Sequence, residues 1–214
     1  MTGYKPAAGR SWLTSLYDLG VKIIMPERGI RDRLVDLVNP APGERILEFG
    51  FGTGSNLIAL GDRAPEARLS GVDVDPKIYE RARAKTARHG TRAELRLYDG
   101  EILPYADDSF DVVVSCLVFH HLDANDKESA FTEIRRVLRP GGRLVIGDWG
   151  SPASLLMRLA SGFIILIDGF ETTRENRHGP LPEIAVSTGF DGIREVAVVN
   201  TAVGTFRYLT AGSM

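Results

Sequence analysis

The sequence predicts an α/β fold: a Rossmann-like doubly wound sheet, mostly parallel, with an antiparallel C-terminal edge hairpin. Three observations carry this expectation. From Arg45 to Trp149, short apolar runs alternate with runs of helical spacing, a pattern that implies parallel strands with helices on both faces. "FDVVVSCLVF" crowds β-branched residues as a strand buried on both faces does. "ILEFGFGTGSNLIAL" sets Gly50, Gly52 and Gly54 between an apolar run and a helix-like one, at the turn where ligands of open α/β sheets bind.

The elements follow in order. "SWLTSLYDLGVKIIM" and "ERGIRDRLVDLV" read as N-terminal helices ending at the turn "NPAPGE". "RILEFG" is the first strand, and a helix opens at Ser55. "ARLSGVDV" is the second strand. Pro76 then starts a helix over "KIYERARAKTARHG" that ends at Gly90, with Asp75 as its N-cap. "AELRLYD" and "FDVVVSCLVF" are the third and fourth strands, "DKESAFTEIRRVL" is an amphipathic helix closed by "RPGG", and "RLVIGDW" is the fifth strand. Ser151 to about Pro182 interrupts the alternation as a helical insertion. "IREVAVVNTA" and "GTFRYLTA" read as a strand pair at the sheet edge.

Composition narrows the function classes. With 214 residues and a hydrophobic fraction of 43%, the chain can form one domain with a sizeable core. A net charge of -2 gives no bulk attraction to nucleic acid, and no basic stripe is present. The single cysteine, Cys116, excludes an internal disulfide, argues against a cysteine zinc cluster and reads as a small core residue. "MTGYKPAAGRSW" lacks the apolar stretch of a signal peptide. The apolar window from Ser154 to Phe170 is broken by Arg158 and Asp168 and is short for a bilayer span. It reads as a buried or interfacial helix. The expectation is a cytoplasmic protein, with peripheral membrane contact left open.

The glycine turn has an acidic partner. Asp73 ends "SGVD" about twenty residues beyond the loop, where a carboxylate accepts hydrogen bonds from both ribose hydroxyls. The dinucleotide fingerprint is G-x-G-x-x-G, whereas this loop is G-x-G-x-G with Ser55 in the last fingerprint position. Glu48, two residues before the first glycine, suits a cationic ligand better than a pyrophosphate.

"ILEFGFGTG", "GVDVDP", "YDGEILPYADDSFDVVVSCLVFHHL" and "EIRRVLRPGGRLVIGDW" resemble the successive motifs of class I S-adenosylmethionine-dependent methyltransferases, closest to the ubiquinone/menaquinone-biosynthesis-like (methyltransferase type 11) branch. The resemblance covers about Pro42 to Trp149. It implies S-adenosyl-L-methionine as cofactor. It also implies four segments: an N-terminal helical lid over 1–41, a cofactor-binding core over 42–149, a substrate cap insertion over 150–183, and a C-terminal helix start with edge strands over 184–214. By the same resemblance, Glu48 and the backbone around Gly50 and Gly52 hold the methionine ammonium, and Gly54 permits close approach of the cofactor. Asp73 binds the ribose and Val74 packs on the adenine. Asp99 accepts from the adenine amino group, Gly100 and Glu101 line that pocket, and Leu117 borders the methionine moiety. Tyr17 belongs to a lid over the cofactor, or to the core of a surface helix. Phe51 departs from the small residue usual in the loop, and is expected to narrow the turn or cover the ligand.

Methyl transfer from a sulfonium is an in-line displacement, for which the protein aligns the nucleophile and excludes water. A polar nucleophile also needs a base. His120 and His121 follow the fourth strand at the ligand end and are the candidates, for proton abstraction or for orienting a substrate hydroxyl. A structural role is the competing reading. Asp148 and Trp149 end the fifth strand and face the same site, Asp148 as a partner of substrate or base and Trp149 as a shield for the cation. His178 reads as surface and His89 as a helix C-terminal partner. No metal-ligand cluster appears. The apolar insertion points to a lipophilic acceptor such as a quinol, a phospholipid headgroup or a natural-product hydroxyl or amine, with Asp168, Glu171 and Arg174 as polar candidates. Two rival readings stand beside this one: a cofactor-binding regulatory module without turnover, and an NAD-dependent oxidoreductase. The acceptor, the base and the oligomeric state stay open.

Overall fold

The computed structural model describes residues 27–150, 180–201 and 204–213. Helix α1 (Glu27–Val38) leads into β1 (Arg45–Phe49), α2 (Ser55–Arg63), β2 (Arg68–Asp73), α3 (Pro76–His89) and β3 (Ala93–Leu97). Then come β4 (Phe110–Cys116), a 3-10 turn at Phe119–His121, α4 (Ala124–Val137), β5 (Leu138–Gly150), α5 (Pro180–Ser187), β6 (Phe190–Thr201) and β7 (Gly204–Ser213).

The seven strands form one sheet of order β3-β2-β1-β4-β5-β7-β6. The first five are parallel, and β7 joins β5 antiparallel with β6 outside it. The order reverses between β1 and β4, so a crevice opens beyond their carboxyl ends.

Alternate residues of the central strands feed two cores. Leu47, Phe49 and Val113 pack with Phe131 and Ile134 of α4 and Ala185 of α5. Ile46, Val112 and Val114 pack with Ile30, Leu34 and Val35 of α1 and Leu57 and Leu60 of α2. Burial on both faces explains why the central strands read as near-continuous apolar runs. α1 is anchored at two points. The buried Tyr208 hydroxyl donates to the Ile30 carbonyl at 2.9 Å. Arg143 donates to the Val38 carbonyl at 2.8 Å while pairing Glu44 through both Nη atoms.

Local chemistry set several boundaries as expected. Asp75 caps α3 by accepting from the Lys77 and Ile78 N–H groups, and Gly90 closes that helix with a left-handed φ of 83°. Other boundaries differ. β4 ends at Cys116 rather than running to Phe119, because Leu117 turns left-handed (φ 59°) and hands the chain to the 3-10 turn. "RPGG" does not close the helix as a turn. It lies within β5, which begins at Leu138 opposite Phe110 and shifts register before Arg143. α5 begins at Pro180, inside the stretch 150–183 assigned to the insertion. Tyr17, Asp168, Glu171, Arg174 and His178, with the first N-terminal helix and the Ser154–Phe170 window, lie outside the described residues. Among the described residues, no helix is long and apolar enough to cross a membrane.

Candidate functional site

The turn after β1 is pinned to β2. Gly50 and Phe51 both donate their N–H groups to the Val72 carbonyl, at 2.9 and 3.2 Å. Gly52 N–H donates to Asp73 Oδ2 at 2.9 Å, and Asp75 N–H donates to Asp73 Oδ1 at 3.1 Å. Asp73 therefore braces the glycine turn. An ionised carboxylate has about four acceptor sites, so two remain for a ligand hydroxyl pair.

The three glycines have different tasks. All take positive φ. A Cβ at Gly50 would fall 2.3 Å from Val118 Cγ2, so glycine there lets the exit of β4 close against the exit of β1. A Cβ at Gly52 would meet nothing within 4 Å, which leaves this glycine on the open side of the turn. A Cβ at Gly54 would fall 3.1 Å from Thr86 Cγ2 and 3.4 Å from Ala82 Cβ. The bare backbone of Gly54 lets helix α3 close against the turn. The Phe51 ring is buried beside Gly71, its centroid 6.4 Å from that of the Tyr79 ring.

Glu48 is fully buried at the base of this turn. Its Oε1 accepts from Asn56 Nδ2 at 2.7 Å, while its Oε2 has no partner. Burial pushes the carboxyl up to about 8, the Asn56 hydrogen bond opposes that, and the neighbouring Asp73 charge adds to it. A buried carboxyl in this state gains its charge when a cation is placed beside it. Asn56, in the first turn of α2, was not anticipated. Its only sequence signal is a polar residue where a helix start faces a buried acid.

Beyond β2, Val74 stands 42% exposed, a large apolar side chain facing out. A Cβ at Gly100 would come within 3.8 Å of Val74 Cγ1, so the two expected wall residues are neighbours. Asp99 is exposed, and its Oδ1 accepts from the Glu101 and Ile102 N–H groups at 2.9 and 3.3 Å. Those bonds shape the loop and hold the Asp99 carboxyl below its usual range. Glu101 is exposed. Leu117 donates its N–H to the Gly147 carbonyl at 2.9 Å and joins the core beneath α1 and α2.

The ends of β4 and β5 hold a second cluster. His120 Nδ1 lies 2.7 Å from Asp148 Oδ1, and Asp148 is 3% exposed. The same carboxylate accepts from the His120 N–H at 3.2 Å and the Trp149 N–H at 2.7 Å. Since an ionised carboxylate only accepts, Nδ1 is the donor of this pair, which in the neutral imidazole leaves Nε2 as an acceptor. His121 is exposed, and its ring lies 3.8 Å from that of His120. Trp149 packs edge-on against Phe206 at 5.6 Å, which turns its ring toward the core of the sheet edge. Cys116 is largely buried, and its thiol is held well above its usual range. Among the described residues, no group of three or more His, Cys, Asp or Glu could hold a metal ion.

Comparison with known proteins adds family and fold. Residues 46–142 match the family model described as a methyltransferase domain. Demethylmenaquinone methyltransferase of Thermus thermophilus is 37% identical over 122 residues, covering 57% of this chain and 54% of its own length. The 27-O-demethylrifamycin SV methyltransferase of Amycolatopsis mediterranei is 37% identical over 131 residues, covering 59% of this chain and 47% of its own. The chain thus spans about half the length of these curated relatives. A solved SAM-dependent methyltransferase from Aquifex aeolicus superposes with a TM-score of 0.67 at 20% identity, over 90% of this chain and 96% of its own. The seven-stranded sheet is therefore the Rossmann-like architecture of these methyltransferases.

Proposed function

We propose that the chain transfers a methyl group from S-adenosylmethionine to a small, lipophilic acceptor whose nucleophile carries a removable proton. The observation that carries the reading is Glu48, a fully buried carboxylate with one unpartnered oxygen at the root of an open glycine turn. That orphaned oxygen, the bare face of Gly52 and the exposed Val74 fit the three ends of the cofactor: ammonium, adjoining chain and adenine. When bound, the cofactor supplies a sulfonium methyl carbon open to in-line attack.

The chain's own residues do the rest. Glu48 takes the ammonium, helped by Asn56, which fixes the carboxylate's orientation. Asp73 keeps Gly52 in place and offers its remaining lone pairs to the ribose hydroxyls. Asp99 and Gly100 take the adenine side, with Val74 packed on the ring. Asp148 holds His120 by its Nδ1–H, so Nε2 accepts the proton of an acceptor hydroxyl as the oxygen becomes nucleophilic. The His121 ring, tilted against that of His120 at 3.8 Å between centroids, limits the rotation of His120. Asp99 uses one oxygen within its own loop and keeps the other for the adenine amino group.

A lipophilic acceptor would be met in the cytoplasm or at a membrane surface. The Thermus relative is named for a demethylmenaquinone and the Amycolatopsis relative for a rifamycin hydroxyl, which supports a quinol or natural-product hydroxyl as first acceptors to try.

Calorimetric titration with S-adenosylmethionine, S-adenosylhomocysteine and NAD tests the reading. Micromolar binding of the first two with none of NAD is expected, followed by turnover in a screen of quinols and phenolic natural products. Binding of NAD alone would mean an oxidoreductase. Tight S-adenosylhomocysteine binding with no turnover of any acceptor class would mean a regulatory module.

A further inference from the structure

Glu133 and Arg136 stand about one turn apart on α4 and form a forked pair. Arg136 Nε donates to Glu133 Oε1 at 2.9 Å, and Nη2 donates to Glu133 Oε2 at 2.7 Å. The remaining guanidinium N–H groups reach off the helix. Nη1 donates to the Tyr105 carbonyl and to Asp107 Oδ1, both at 2.8 Å, and Nη2 donates to the Leu103 carbonyl at 3.1 Å. Glu133 Oε2 also accepts from the Leu103 N–H at 2.8 Å. Both backbone groups of Leu103 are thus fastened to α4, and its side chain is buried in the core. Every guanidinium donor has an acceptor, a pattern that a planar fork can make and a lysine ammonium cannot. The Arg136 hydrogen bonds hold the Glu133 carboxyl below its usual range.

Leu103 is also where the turn assigned to the adenine ends. That turn, Asp99 to Ile102, starts from Tyr98, whose N–H donates to the Asp73 carbonyl at 3.2 Å. Inside it, Asp99 Oδ1 accepts from the Glu101 and Ile102 N–H groups. Asp99, Gly100, Glu101 and Ile102 are all exposed, Ile102 by 66%. Burial therefore does little to place this turn, and its two ends set its position. One end is tied to the backbone of Asp73, the residue assigned to the ribose. The other end is tied to the fork on α4, 30 and 33 residues further along the chain. A carboxylate reads an amino group only at hydrogen-bond range, so a shift of about 1 Å at the Leu103 end forfeits the contact.

We propose that Glu133 and Arg136 are positioning residues for recognition of the cofactor's base: by fixing Leu103 they hold the second oxygen of Asp99 where it reads the adenine amino group. Both act through the loop and neither touches the ligand. The proposal rests on the S-adenosylmethionine reading above and adds to it the residues that give selectivity for the base.

The test reads selectivity rather than affinity alone. Wild type, Arg136→Gln and Arg136→Lys are titrated with S-adenosylhomocysteine and with S-inosylhomocysteine, whose purine carries a carbonyl in place of the amino group. Wild type is expected to prefer S-adenosylhomocysteine roughly ten- to a hundredfold, since the carbonyl offers Asp99 no donor. Arg136→Gln should cut that preference to within about threefold, mainly by weakening S-adenosylhomocysteine. Arg136→Lys keeps the charge with fewer donors and should fall in between. Melting curves set a temperature at which each variant is folded, and Arg136→Lys carries the comparison where the glutamine variant does not fold. A preference unchanged in the variants, even with lower Tm or with both ligands weakened equally, overturns the positioning role while the function stands. A wild type that binds both ligands equally overturns the Asp99 assignment and this proposal with it. A wild type that binds neither ligand overturns the function as well.

Discussion

His120 and Asp148 come from different strand ends yet share a 2.7 Å hydrogen bond, with Asp148 also drawing in the backbone N–H groups of His120 and Trp149. Three donors on one buried carboxylate fix the imidazole with its Nε2 outward.

If that lone pair takes the acceptor's proton, His120→Gln lowers kcat by roughly 10²–10⁴-fold, the range of general-base catalysis. Asp148→Asn reverses the donor pattern at Nδ1 and lowers kcat as well. The double variant should be little worse than either single one, because the pair acts as a unit. S-adenosylhomocysteine affinity stays within about threefold in all of them. Full activity of His120→Gln toward a hydroxyl acceptor would leave the dyad with a structural role only.

Asp73 carries two loads, bracing Gly52 and meeting the ribose. Asp73→Ala removes a charged acceptor and should weaken S-adenosylhomocysteine binding by about 1–3 kcal/mol, or up to a hundredfold. Asp73→Asn keeps one oxygen for the Gly52 N–H and should fall between wild type and alanine. Titration calorimetry on folded variants decides it, and an alanine variant with wild-type affinity removes the ribose assignment.

Gly50 and Gly52 separate fold from ligand. Both have positive φ, so an alanine costs about 1–2 kcal/mol of backbone strain at either. At Gly50 the new methyl also strikes Val118, so Gly50→Ala should be the less stable variant by several degrees of Tm. At Gly52 the methyl enters open space, so Gly52→Ala should melt closer to wild type and lose more cofactor affinity. The reverse order would show that the open face of the turn is not the ligand side.

The sequence made these loops legible to different depths. Helix α3 could be read end to end because Asp75, Pro76 and Gly90 act on their own backbone. The parallel sheet was legible because strands buried on both faces need continuous apolar runs. The neighbours of Gly54 and Phe51, Thr86 on α3 and Gly71 on β2, were not legible, because tertiary packing brings them in. The His120–Asp148 bond was suspected only as a shared end of the sheet, since strand order, not spacing, joins residues 28 apart.

Glu48 ties the site to pH. Its folded value of about 8 stands above the ordinary 4.5, so between those limits the folded protein keeps a proton that the unfolded chain has lost. Unfolding then releases protons, and stability falls as pH rises through that window. Around Glu48 stand the charges of Asp73 and Arg31 and the Asn56 amide, with burial the largest influence. Glu48→Gln keeps the Asn56 hydrogen bond and removes the titration. It should match wild type near pH 4.5 and be more stable at pH 8 by on the order of 2–4 kcal/mol. Thermal melts across pH check this, and parallel curves for the two proteins would refute it. The ligand reverses the balance. An ammonium beside Oε2 requires the ionised carboxylate, so S-adenosylhomocysteine binding at pH 7 should expel a proton from wild type and none from Glu48→Gln. Binding heats measured in buffers of different ionisation enthalpy count that proton, and a wild-type heat independent of buffer would place the ammonium elsewhere.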